Sequence, residues 1–171
     1  MDRRAHIKKL MALGAASVAP AALWAGTERS EEAAVKSERA YGYKRSVSHW
    51  TVDDLDWDDL CGWLAQEGVE AVDLVGPENW HHLKKHGLDS SMCNGAELNL
   101  VDGFIHEEFE GVLHERYSAM IPRVAKAGYE NLICFSGNRR GLSEEEGLEQ
   151  AVKALQPMVA LAEEHGVVLQ M

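Results

Sequence analysis

From Tyr41 onward the hydrophobic and polar positions repeat one pattern: a short apolar run, a polar turn, an amphipathic stretch, then a glycine. The punctuating glycines are Gly68, Gly87, Gly128 and Gly166, each followed at once by the next apolar run. Glycine suits the position just past a helix because it takes the left-handed conformation without a Cβ penalty. The runs after them predict strands at Val69–Leu74, Leu88–Met92, Tyr129–Phe135 and Val167–Leu169, after a first strand at Lys44–Ser48. The amphipathic stretches predict four helices. The first is Asp56–Gln66, burying Trp57, Leu60, Cys61 and Leu64, and the second is Glu78–His86, anchored by Trp80 and Leu83. The third places Phe109, Val112, Leu113, Tyr117, Met120, Ile121 and Val124 on one face. The fourth opens on a Ser143/Glu146 capping box, with further acid at Glu144 and Glu145, and lines up Leu148, Ala151, Val152, Leu155, Val159 and Ala162. Pro122 and Pro157 fall inside the last two patterns, where a kink or break is expected.

Strands alternating with helices imply an α/β fold with a parallel sheet and helical crossovers. Two architectures share this grammar: part of a (β/α)8 barrel and a five-stranded doubly wound sheet. The chain has 171 residues, against the roughly 250 of a typical eight-fold barrel.

The first residues belong to a different pattern. Arg3, Arg4, Ile7 and Lys8 precede a small-residue apolar run from Leu10 to Ala25, which resembles a twin-arginine export signal. Gly14, Ser17 and Pro20 interrupt that run, so no stable membrane span is expected. The organisation read from sequence is therefore 1–25 signal peptide, 26–40 polar linker and 41–171 barrel part, with a periplasmic or otherwise exported destination.

Charge and cysteine content narrow the chemistry. The net charge of −11 provides no footprint for nucleic acid and suits a small-molecule partner. Cys61, Cys93 and Cys134 form no CxxC pair, and an odd count argues against a disulfide framework; free, buried thiols are expected. His82 and His86 have a helical spacing that can chelate metal, but Lys84 and Lys85 beside them favour a solvated face. His106 and His114 read as surface residues. Gly137-Asn138-Arg139-Arg140-Gly141 is glycine-flanked yet lacks a P-loop ending.

Several segments carry a family resemblance. Tyr43–Trp50, Gly68–Leu74, Leu88–Gly95, Asn131–Gly137 and Gly166–Met171 resemble, in order, the first five strands of the xylose isomerase-like barrels. Within these barrels the segments resemble the hydroxypyruvate isomerase-like branch of the sugar phosphate isomerase/epimerases. The resemblance covers about three quarters of the chain. It implies an incomplete (β/α)8 TIM barrel, β1 to about β5, with the site at the C-terminal strand ends. It also implies a sugar or keto-acid substrate and metal-assisted proton transfer through an enediolate. The expected cofactor is a divalent metal (Mg, Mn or Zn).

The family's metal ligands and catalytic carboxylates begin immediately after the position of Met171. None is carried over, and this chain alone is expected to be inactive and to hold no metal. The substrate-binding candidates are His49, Trp50, Asn94, Glu97, Ser136, Asn138 and Arg139, with Arg140 as a second anion-binding option. Asp73 stands where the family favours glutamate, and Cys93 where the isomerases often have histidine. A non-catalytic half-barrel, assembling with itself or with a missing C-terminal half, is the alternative. An abasic-site endonuclease of the same superfamily is a further one, disfavoured by the acidic charge.

Overall fold

The computed structural model describes residues 43–52 and 54–171; the expected signal peptide and linker lie outside the described residues. Five short strands alternate with four helices: β1 (Ser46–Ser48), α1 (Trp57–Gln66), β2 (Ala71–Val75), α2 (Trp80–His86), β3 (Asp89–Cys93), α3 (Glu110–Ala127), β4 (Asn131–Ile133), α4 (Glu144–Glu164) and β5 (Val168–Gln170). All neighbouring strands pair in parallel, in the order β1-β2-β3-β4-β5. That sequential order decides between the two architectures. A doubly wound sheet reverses its strand order at a switch point, whereas a sheet wound in one direction, with right-handed crossovers, keeps every helix on one face. The fold is α/β and forms part of a barrel.

The helices start and stop where local chemistry dictates. Asp56 caps α1 by accepting hydrogen bonds from the Asp58 and Asp59 amides at 2.9 and 3.2 Å. Ser143 and Glu146 form the reciprocal capping box of α4, satisfying amide donors that the first turn leaves open. Gly87 and Gly128 end α2 and α3 in the left-handed conformation. Pro122 and Pro157 break neither helix. An interior proline costs about 3 kcal/mol, and each buried large apolar side chain offsets about 1.5–3 kcal/mol. In α3, Met120, Ile121 and Val124 are all buried around Pro122.

The core lies between the sheet and the helices, where Val72, Leu132 and Leu60, Leu64, Leu83, Leu113, Tyr117, Ile121 and Val124 are fully buried. One sequence expectation fails in α4. Leu148, Val152 and Val159 are exposed (67, 58 and 39%), while Gly147, Ala151, Ala154, Met158 and Ala162 are buried. The small residues Gly147, Ala151, Ala154 and Ala162, at i, i+4, i+7 and i+15, allow the helix axis to approach its neighbours closely. The larger aliphatics lie on the adjacent stripe, one residue and about 100° further round.

Candidate functional site

Parallel strands point their carboxyl ends in one direction, so the residues after β1 to β4 gather along one edge of the sheet. Period-two alternation then decides what lies on the concave face. Val47, Val72, Leu132 and Leu169 pack into the helix-side core. Their neighbours Ser48, Asp73, Asn131 and Gln170 therefore face the other way. These side chains form a polar ladder across all five strands. The Ser48 hydroxyl donates to Asp73 Oδ2 at 2.9 Å and the Ser91 hydroxyl to Asp73 Oδ1 at 3.2 Å. The Asn131 amide donates to the Ser91 carbonyl at 3.0 Å, and Gln170 donates to Asn131 Oδ1 at 2.7 Å.

Strand β2 adapts to hold Asp73 there. Its register against β3 slips on both sides of Asp73, and Leu74 adopts φ 59°, a left-handed conformation that bulky residues avoid. The buried Trp80 indole compensates by donating to the Val75 carbonyl at 2.9 Å. By sequence Asp73 stands out only as a departure from a family pattern. A carboxylate between Val72 and Leu74 in an otherwise apolar strand was the available signal.

The candidates named from sequence lie along the rim, in differing roles. The His49 ring stacks on Trp57 at the head of α1, with centroids 3.9 Å apart and planes 7° apart. Trp50 is 65% exposed. Asn94 follows β3 with its amide directed at the Val75 carbonyl, and Glu97 accepts from the Gly95 amide at 2.7 Å. The Ser136 carbonyl accepts from the Ile105 amide, and the Asn138 amide donates to the Val101 carbonyl. Arg139 pairs with Glu144 at 3.3 Å, and Arg140 pairs with Asp102 and with Glu108. Both guanidinium groups thus have carboxylate partners within the rim.

Two histidine expectations are overturned. His106 is buried at 4% exposure, because both ring nitrogens bond to main-chain groups of two loops. His114 is half-buried, and its Nε2 lies 2.6 Å from the Ala154 carbonyl, joining α3 to α4. His82 and His86 are half-buried. They converge with Lys85 on Asp58 of α1. The three cysteines are free and buried, as expected. Burial raises the thiols of Cys93 and Cys134, at the ends of β3 and β4, to about 11. Neither is a thiolate nucleophile near neutral pH.

Among the described residues no group of three or more His, Cys, Asp or Glu side chains is arranged to hold a metal ion, and no chemical step is assigned to a metal on them. None of the described helices is long and apolar enough to cross a membrane.

No protein-family model matches the chain, and no curated protein does. Solved structures do. An AP endonuclease, family 2, from Brucella melitensis shares 15% identity at a TM-score of 0.61, over 74% of this chain and 54% of its own. A sugar phosphate isomerase/epimerase from Parabacteroides distasonis shares 13% at 0.60, over 78% and 52%. The IolI protein, whose structure binds a zinc atom, shares 12% at 0.59, over 74% and 50%. At such identities the likeness is one of fold. The chain spans about half the length of the structures it matches, and its fold is that of part of a barrel used by sugar isomerases and epimerases and by an AP endonuclease.

Proposed function

We propose that this chain is the substrate-binding part of a sugar or keto-acid isomerase/epimerase that moves a proton between adjacent carbons through an enediolate. The observation that carries the reading is the polar ladder, with Asp73 at its centre, on the concave face of a barrel sheet. A carboxylate accepting from two hydroxyls keeps further lone pairs for substrate hydroxyls, and its neighbours Ser91 and Asn131 add neutral donors and acceptors. His49, Trp50, Asn94, Glu97, Ser136, Asn138 and Arg139 form the proposed rim around it. The proton-moving carboxylates and the divalent metal implied by the family resemblance are assigned to no described residue. Abasic-site cleavage fits less well, because a net charge of −11 opposes a phosphate backbone.

Binding and proton transfer are read separately. Saturation-transfer NMR on the whole chain, with hydroxypyruvate and with a ketohexose, tests binding. Transfer to the carbon-bound protons that Asp73→Ala abolishes supports the reading. Absence of transfer to either probe, or transfer indifferent to Asp73→Ala, overturns it. Deuterium wash-in from D2O at the carbon beside the carbonyl, with and without Mn²⁺, tests the reaction class. Two accompanying proposals have their own tests. Self-association through the exposed Leu148, Val152 and Val159 is read by sedimentation velocity, and export directed by Arg3 and Arg4 by fractionation of cells carrying Arg3→Lys/Arg4→Lys.

A further inference from the structure

The buried ring of His106 has a chemical state that its surroundings dictate. The Gly103 amide can only donate, and it points at Nδ1 from 3.2 Å; the Asn138 carbonyl can only accept, and lies 2.9 Å from Nε2. The ring is therefore neutral with its proton on Nε2. Through these two bonds it joins the loop before α3 to the loop after β4. The same two loops share three backbone bonds: Phe104 N–H to Phe135 O, Ile105 N–H to Ser136 O and Asn138 N–H to Val101 O. They also approach too closely for side chains. A Cβ on Gly103 would lie 2.2 Å from the Phe135 oxygen, and one on Gly137 would lie 2.7 Å from both the Gly103 nitrogen and His106 Cε1.

We propose that His106 is a proton-operated latch on the rim: neutral, it holds Ser136–Asn138 in place, and protonated, it lets that segment go. A proton on Nδ1 would face the Gly103 N–H, turning an attraction between the loops into a repulsion of two donors. The charged groups that line one cavity with His106 are Glu107 and Glu108 beside it, Arg140 on the loop after β4 and Glu146 on α4, and Asp102 on its own loop interacts with it electrostatically. Arg140 bonds to Asp102 and lies over the Phe109 ring, so the opened segment stays tethered at its far end. The latch is independent of the isomerase reading; only its consequence, control of the substrate-facing rim by pH, rests on that reading.

Amide hydrogen exchange on the whole chain tests it, with rates normalised to the intrinsic rate at each pH. Between about pH 7.5 and about pH 5, the range of imidazole titration, protection of Phe104, Ile105 and Asn138 is expected to fall about tenfold, the scale of one buried hydrogen bond. The Leu60 and Ile121 amides should hold their protection. In His106→Asn and His106→Gln, each able to replace one of the two bonds without titrating, the step should vanish. Unchanged protection in the parent, or the same step in both variants, overturns the latch. If neither variant folds, the parent alone decides: ¹⁵N shifts showing a protonated Nδ1 near neutral pH, or a ring that stays neutral through the step, also overturn it.

Discussion

Two of the histidine contacts that join elements of this molecule are built on opposite principles. On the outside of the first helical layer, Asp58 of α1 draws in His82, Lys85 and His86 of α2. His82 Nδ1 lies 2.9 Å and His86 Nε2 3.3 Å from the same carboxylate oxygen. That clasp is charged and partly solvated. At the rim, His106 is buried, bound only to main chain, and works as a neutral ring. One contact fastens helices that already bury Leu60, Leu64 and Leu83; the other fastens two loops that also share three backbone hydrogen bonds. A histidine's response to acid thus follows from whether its partner is a carboxylate or an amide donor.

The largest effect that would break the comparison is steric. Gly103→Ala drives a methyl into the Phe135 carbonyl and should cost about 3 kcal/mol or more, read as a lower urea midpoint with an unchanged slope. Next is His106→Ala, which leaves the buried Gly103 amide and the Asn138 carbonyl without their ring partner. About 2–3 kcal/mol is expected, with the exchange protection of 103–106 lost ahead of the helices. Ser143→Ala, which removes the capping box at the far end of the same loop, should cost about 1 kcal/mol and leave the acid response of the rim intact.

The smallest effect at neutral pH belongs to the outer clasp, because surface ion pairs are largely screened. Asp58→Asn should instead change the acid limb. The Asp58 carboxyl is held far below the usual carboxylate range, first by its hydrogen bond from Lys85 and next by that from His82. A carboxyl depressed in the folded state stabilises fully above its unfolded value and loses that contribution as pH falls through the folded one. The parent should therefore lose stability below about pH 4, and Asp58→Asn should show a shallower loss there in thermal melts. An identical acid limb in both would mean that the clasp contributes nothing.

Much of the fold was legible from sequence. The glycine after each amphipathic stretch, the Ser143/Glu146 pair and the apolar runs place nine elements within a few residues of where they stand. The rim candidates from His49 to Arg139 were also legible as residues following strands, although what each touches was not. Asp73 and His106 escaped for one reason. A polar residue inside an apolar pattern looks like an imperfection until the partner strand or loop that satisfies it is known. Ser48, Ser91 and the Gly103 amide are 25, 18 and 3 residues away from the groups they bond, and of these only the last was near enough for local pattern to suggest.

By itself the sequence determined the order of strands and helices, the caps that start the helices and the parallel sense of the sheet. These follow from local backbone preferences and from the length of the crossovers. Only the tertiary structure decided that the strands lie in sequential order, that the small-residue stripe of α4 is packed while Leu148 and Val152 are exposed, and that Asp73 and His106 are satisfied. Each of those outcomes depends on which distant surfaces meet, and a periodic pattern specifies a face without naming its partner.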